Sequence, residues 1–248
     1  MAWFSDLPRV TVPKSDQPMR LTLIYPYYDC AKFFARQVAK WRLLPQDIRV
    51  LTNIIVVDDG SPVPALLPVD LPFRLRLFRI EVDVRWNWLA ARNIGAYHAD
   101  EGWLLLTDMD HVVPERTLQS LIWSYPDPSV VYLFSRREHT GAPVHPHSAS
   151  YLMTREMFWR IGGYDEALSG YYGTDGEFRR RVARRAPLHL LQEELIRYEY
   201  VDDASVLRYK RKQPEDVAAQ RAIAARPNDW QPKTLSFPYH EVLSCCVS

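Results

Sequence analysis

Apolar runs and polar stops alternate along the first half of the chain, and their spacing predicts the elements. Residues 21–25 form a short apolar run closed by Pro26, which reads as a strand with a stop. Residues 31–44 place Phe33, Phe34, Val38, Trp41 and Leu44 near helical spacing, with Asp29 as the cap. Residues 53–57 are a continuous, mostly β-branched run, as expected of a strand buried on both faces of a parallel sheet, and the run ends in Asp58-Asp59-Gly60-Ser61. Residues 73–80 alternate and read as a third strand, 86–99 as a helix, 103–107 as a fourth strand and 130–134 as a fifth. Residues 114–123 read as a helix with Pro114 near its first turn. Strand and helix alternate in this way through about 135 residues, which predicts an α/β sheet with right-handed crossovers.

The second half is less regular. Gly162-Gly163-Tyr164 and residues 170–173 have loop chemistry, 175–185 reads as a helix, 188–191 as a short strand and 214–226 as a polar, peripheral helix. The prolines and aromatics after Pro227 predict a tail that wraps the surface. The expected organisation is an extension over 1–19, one domain over 20–211, and a C-terminal helix and wrapping tail over 212–248.

The fourth strand carries the most informative chemistry. Leu104-Leu105-Leu106-Thr107 runs into Asp108-Met109-Asp110-His111, so two carboxylates emerge where a strand of an open α/β sheet meets its ligand. Two hard oxygen ligands there suit Mg²⁺ or Mn²⁺, which would hold a phosphate-bearing substrate. A polar loop after a strand is the plain alternative. Asp58-Asp59 follows another buried strand along the same rim, where a carboxylate accepts hydrogen bonds from a ribose or base edge; Asp-Gly is also a turn signal. In Ala91-Arg92-Asn93-Ile94-Gly95, Arg92 would neutralise a phosphate or fix a loop, and Gly95 would let a helix pack closely. Asp175 would stand at a helix N-terminus, as a carboxylate base in the cleft or as part of a cap with Thr174.

Composition narrows the setting. The 248 residues are 47% hydrophobic with a net charge of +1, ample for a core and without a global field that favours nucleic acid. The basic groups Arg179-Arg180-Arg181, Arg184-Arg185 and Lys210-Arg211-Lys212 are local: solvated faces first, a peripheral contact to an anionic membrane second. Cys30, Cys245 and Cys246 supply neither a disulfide framework nor metal spacing, which fits a reducing compartment. The first twenty residues lack a signal-peptide core, and no apolar stretch approaches the ~20 residues that span a bilayer, so the expectation is a cytoplasmic protein.

Taken together, the motifs resemble one family: the inverting glycosyltransferases of the GT-A fold, family 2 type. Tyr25-Pro26-Tyr27-Tyr28-Asp29, Val56-Val57-Asp58-Asp59-Gly60-Ser61, Ala91-Arg92-Asn93-Ile94-Gly95, Asp108-Met109-Asp110, Gly162-Gly163-Tyr164-Asp165-Glu166 and Tyr172-Gly173-Thr174-Asp175 follow the family's order over residues 20–200. The resemblance implies a mainly parallel central sheet flanked by helices. It implies a nucleotide-diphospho-sugar donor and a glycan, lipid-linked or protein acceptor. Tyr25, Tyr27, Asp58, Asp59, Arg92, Asn93 and Asp108 would serve the donor, Asp108 and Asp110 would coordinate Mn²⁺ or Mg²⁺, and Asp175 would be the general base. Thr174 departs from the Glu that often precedes this Asp. Relatives often add a downstream His to the metal; here only His189, Asp202, Asp203 and His240 offer themselves. His139, His145 and His147 read as solvent-exposed or substrate-contacting rather than metal-binding, and Trp86, Trp88 and Trp159 as candidates to stack on sugars, with core packing the commoner role.

Two other readings are weighed. The run 105–112 also resembles the haloacid dehalogenase motif, with Asp108 as a phosphatase nucleophile and Asp110 as its acid/base, but that family places its nucleophile near the N-terminus. A degenerate GT-A domain would bind nucleotide-sugar without turnover, against which Asp108, Asp110 and Asp175 all stand intact.

Overall fold

The computed structural model describes residues 4, 6–67, 70–198 and 213–245. Asp202, Asp203 and the basic run 210–212 lie outside the described residues. The chain forms β1 (Arg9–Val10), β2 (Leu21–Tyr27), α1 (Ala31–Arg42), α2 (Gln46–Arg49), β3 (Thr52–Asp58), β4 (Leu75–Ile80), α3 (Trp88–His98), β5 (Trp103–Leu106), β6 (His111–Val112) and α4 (Glu115–Ile122). It continues with β7 (Val131–Glu138), β8 (Pro143–Val144), β9 (Tyr151–Thr154), α5 (Arg155–Ile161), α6 (Asp175–Arg185), β10 (Leu188–Arg197), α7 (Pro214–Ala224) and β11 (Tyr239–Cys245).

All strands among the described residues join one sheet ordered β1-β10-β7-β9-β5-β2-β3-β4-β11, with β6 on β10 and β8 on β7. The centre, β5-β2-β3-β4, is parallel. β9 enters antiparallel between β5 and β7. The apolar run in β2 is continuous because both faces are covered: Leu23 and Tyr25 pack into the core under α1 with Phe34 and Trp41, while Ile24 packs into the core under α3 with Leu89 and Ile94. A Cβ on Gly95 would lie 2.4 Å from Ile24 Cγ2, so α3 sits closer to β2 than any other side chain permits.

Four expectations change. The cap of α1 is Cys30, not Asp29; Asp29 takes φ +43° and its N–H donates to Ser61 Oγ at 2.9 Å. The N-terminal extension supplies an edge strand, with Arg9 opposite Leu190. The predicted strand 188–191 runs on to Arg197, past a bulge between Leu191 and Glu194. The tail is an edge strand: β11 pairs antiparallel with β4, and Leu235 and Ser236 donate their N–H groups to Glu166 at 2.7 and 2.6 Å. A tail whose backbone donors end on a buried carboxylate is part of the domain.

Candidate active site

β2, β3 and β5 end along one rim, and a cleft of about 450 Å³ opens there. Tyr27 and Asp59 line it beside Asp108, Asp110 and His147; Trp86, Trp88 and Tyr172 form an aromatic wall that leads to Asp175.

The two carboxylates after β3 have opposite fates. Asp58 turns into its own loop, where it accepts from the N–H groups of Ser61 and Ala65, each at 2.8 Å, and from Arg79 Nη1 at 2.6 Å. It does not face the cleft, a correction to its reading as a nucleoside contact; the Asp-Gly turn holds it. Gly60, at φ +70°, makes that turn possible, since a Cβ there would sit 2.1 Å from the Val82 carbonyl oxygen. Asp59 lines the cleft, and its buried Oδ1 has no hydrogen-bond partner among the described residues. Burial pushes its carboxyl well above the usual range; Asp58 and Asp83 push it further, and the Asn87 amide pulls it back.

The turn after β5 is braced from three sides. His111 N–H donates to the Asp108 carbonyl at 3.0 Å, buried Gln37 of α1 donates to the Met109 and His111 carbonyls at 3.0 and 2.7 Å, and Tyr198 N–H donates to the Asp110 carbonyl at 3.0 Å. This geometry brings Asp108, His111 and His147 together, with ligand atoms all within 4.8 Å of one another. Asp108 Oδ2 lies 3.4 Å from His147 Nε2. The His147 Nδ1 is held at 2.9 Å by Ser150 Oγ, itself 2.8 Å from Thr107 Oγ1, so the ring is fixed with Nε2 toward the carboxylate. Burial lowers the His147 pKa to about 4 against the pull of Asp108, which leaves a neutral imidazole fit to ligate. The structure thus sets His147 against the carboxylates, where the sequence reading left it outside the metal group. No spacing rule links it to Asp108.

Asp110 also lines the cleft, but one oxygen is committed to His111 Nδ1 at 2.6 Å. Burial raises its pKa, yet His111, His147 and Arg197 outweigh burial and hold it at about 2. It therefore braces His111, whose Nε2 faces Arg136 Nη1 at 3.1 Å. Of the other candidate ligands, His189 packs against Tyr132 and His240 pairs with Glu81, and neither lines the cleft. His139 stacks on Tyr198.

Three residues read as donor contacts serve other ends. Tyr25 is in the core, 5.3 Å from the Trp41 ring. Buried Arg92 donates to Asp108 Oδ1 at 2.5 Å, to Tyr164 Oη at 2.9 Å and to the Ala149 carbonyl. It orients Asp108 from behind. Asn93 is saturated: its Nδ2 donates to the Tyr164 carbonyl and Glu166 Oε1, and its Oδ1 accepts from Tyr164 N–H, each at 2.8 Å. The segment 162–166 is likewise structural, with Asp165 accepting from Arg226 and Trp230 of the C-terminal region.

Asp175 opens α6 and lines the cleft, and Ser148 Oγ donates to its Oδ2 at 2.6 Å. Thr174 precedes it without a side-chain cap bond. Trp86 and Trp88 line the cleft; Trp159 packs on Phe158.

Comparison with known proteins fits this geometry. TarS from S. aureus (residues 1–349, solved with UDP-GlcNAc) superposes with a TM-score of 0.66 at 16% identity, over 83% of this chain and 66% of that one, so the chain spans just under two thirds of TarS 1–349. The mannosyltransferase PcManGT from Pyrobaculum calidifontis, solved with GDP-Man and Mn²⁺, gives 0.57 at 16% over 90% and 75%. GalNAc-T7, solved with UDP, GalNAc and Mn²⁺, gives 0.59 at 15% over 86% and 52%. These likenesses establish the GT-A fold. A comparison with curated protein sequences returns no match. The family model of glycosyl transferase family 2 matches residues 22–185, well over half of the chain, and the protein belongs to that family.

Proposed function

We propose that this glycosyltransferase moves a sugar from a nucleotide-diphosphate donor to an acceptor hydroxyl with inversion, assisted by Mn²⁺ or Mg²⁺. The carrying observation is that one cleft holds a buried Asp59 oxygen without a partner, the Asp108–His147 cluster and Asp175. Asp59, whose carboxyl burial pushes toward the protonated form, would both donate and accept hydrogen bonds toward a nucleoside. Asp108 and His147 would hold the cation, with Asp110 and His111 bracing the turn beside them, and the cation's role is to neutralise the leaving diphosphate. The carboxylate and imidazole of this pair suit Mn²⁺ at least as well as Mg²⁺, and PcManGT was solved with Mn²⁺. Asp175 takes the proton of the acceptor hydroxyl as it attacks the face opposite the diphosphate, and Ser148 occupies one oxygen so that the other meets the hydroxyl. Family membership leaves the phosphatase reading without support.

No helix among the described residues is long and apolar enough to cross a membrane. In α6, Arg181 folds inward onto Glu177 at 2.7 Å, while Arg180, Arg184 and Arg185 are exposed and available to an anionic surface.

Calorimetric titration of UDP, GDP, CDP and dTDP, each with and without Mn²⁺, tests the reading. Metal-dependent binding of one nucleotide supports it and names the donor class. Absence of binding to all four overturns it.

A further inference from the structure

The rings of the aromatic wall lie within the family match, but the helix that holds their loops, α7, lies beyond it. The rings of Trp86 and Tyr172 stand 5.0 Å apart at 48°, and Tyr172 is 41% exposed in the cleft. Trp86 is held at φ +52°, a left-handed backbone that a bulky side chain rarely adopts. Tyr172, Gly173 and Thr174 lead directly into Asp175.

One side chain of α7 ties these two loops together. Asp216, wholly buried, accepts from Tyr172 N–H at 2.8 Å and from Arg85 Nη1 at 3.2 Å through Oδ1, and from Arg85 Nη2 at 3.1 Å and Gln213 N–H at 2.7 Å through Oδ2. Arg85 is the residue before Trp86. Gln220, one turn further along α7, donates to the carbonyls of Tyr172 and Gly173 at 3.0 and 3.3 Å. The matched region ends at residue 185, so α7 and its two polar side chains lie outside it.

We propose that α7 assembles an acceptor subsite in which Trp86 and Tyr172 take the apolar face of a sugar ring and present its hydroxyl to Asp175. The acceptor is then a glycan rather than a bare lipid or protein hydroxyl. The proposal rests on the reading of Asp175 as the base. An exposed aromatic pair beside a carboxylate suits a pyranose, which offers a face of C–H groups to a ring and an edge of hydroxyls to polar side chains. Tyr172 leads into Asp175, and Trp86 packs on it from a loop whose next residue, Asn87, bonds Asp59, so the ring pair stands between the base and the buried Asp59 oxygen that suits a nucleoside.

The test is saturation-transfer NMR on the full chain with cellobiose, xylobiose, maltose and chitobiose as probes, in the presence of Mn²⁺ and the four nucleotides. The comparison set is the wild type, Tyr172→Ala, Tyr172→Phe and Asp216→Asn. At least one disaccharide should receive saturation at its ring C–H protons in the wild type. Its affinity should fall roughly tenfold in Tyr172→Ala and Asp216→Asn and survive in Tyr172→Phe, which keeps the ring. Nucleotide affinity, read by calorimetry on the same samples, should stay within about twofold in the two Tyr172 variants. The subsite is overturned if no disaccharide binds, if Tyr172→Ala binds as well as wild type, or if nucleotide affinity falls with the ring, which would give the wall to the donor. Failure of the wild type to bind any nucleotide strikes the donor reading instead, and the disaccharide arm still decides the subsite. If Tyr172→Ala does not fold, Asp216→Asn against Tyr172→Phe carries the comparison.

Discussion

The side of the cleft proposed for the donor is made of strand ends, the side proposed for the acceptor of loops. Asp59 and Asp108 stand immediately after β3 and β5, fixed by a parallel ladder whose register runs unbroken from Leu21–Thr52 to Tyr27–Asp58. Behind them, Arg92 and Gln37 hold Asp108 and its turn from helices packed on either face of the sheet. Trp86, Tyr172 and Asp175 have no such ladder; one loop leads into α3, the other into α6, and Asp216 of α7 joins them. The difference teaches where each kind of precision comes from. A rim built by the sheet is rigid and is specified by short, local runs of sequence. A wall built by loops is adjustable, and its geometry depends on a side chain far away in the chain.

The most severe way to separate the two sides is Asp175→Asn. It removes the proposed base and keeps an oxygen to accept from Ser148. Single-turnover transfer should fall by roughly 10²- to 10⁴-fold, the range for a general base, while nucleotide affinity by calorimetry stays at the wild-type value. Near-normal transfer would place the base elsewhere. Loss of nucleotide binding would show that the two sides are not separable.

Ser150→Ala cuts the donor side at a group that touches no substrate. The variant frees His147 Nδ1 and leaves Thr107 Oγ1 without its partner. Mn²⁺ affinity should weaken by about 10- to 100-fold, as for other residues that orient a ligating histidine, with the melting midpoint little changed. Ser150→Thr, which keeps the hydroxyl, should restore much of the affinity. Equal Mn²⁺ affinity in wild type and Ser150→Ala would remove His147 from the metal group.

The same contrast governs what the sequence made legible. The parallel centre was readable because β2, β3 and β5 are covered on both faces and so become continuous apolar runs with abrupt polar ends. Asp59 and Asp108 could be placed on one rim for that reason, whereas Asp175 was legible only as a helix start in the order of motifs that the family resemblance supplied. Asp58 could not be told from Asp59 by pattern, since only the turn at Gly60 decides which one faces inward. Asn93 and Glu166 look like polar motif residues and turn out to saturate one another and the tail. His147 and Asp216 carry no local signal, because each acts on groups that the fold brings from elsewhere. β11 was missed because an edge strand with one exposed face lacks the apolar run that marked the others.

Packing offers a smaller test of the rigid side. In Gly95→Ala the new methyl would meet Ile24 Cγ2 inside a sheet that cannot yield without moving β2. Overpacking of this kind costs about 1–3 kcal/mol, read as a lower midpoint in urea. Gly141→Ala meets nothing within 4 Å, so only its backbone at φ +93° resists, and it serves as the loop control. A Gly95→Ala midpoint no lower than that of Gly141→Ala would mean that α3 slides freely on the sheet and that the donor rim is less fixed than its hydrogen bonds imply.

The smallest expected effect is the most specific to Asp59. Its carboxyl is pushed up in the folded chain, first by burial and then by Asp58 and Asp83, whereas in the unfolded chain it titrates in the ordinary carboxylate range. The folded state therefore holds a proton that the unfolded state releases. The stabilisation is fully present below the ordinary carboxylate value and is lost as pH rises through the raised one, because ionising Asp59 in place adds a buried charge beside Asp58. Asp59→Asn is neutral throughout and lacks this dependence. Thermal melts at a series of pH values should show the wild type losing ground to Asp59→Asn as pH rises, with the gap closing toward the ordinary carboxylate range. Nucleotide affinity of the wild type should weaken through the same interval, as the hydrogen-bond donor on Asp59 is lost. If the two proteins keep a constant gap at every pH, the Asp59 oxygen is ionised from the start, and a partner from the ligand or solvent must already balance its charge.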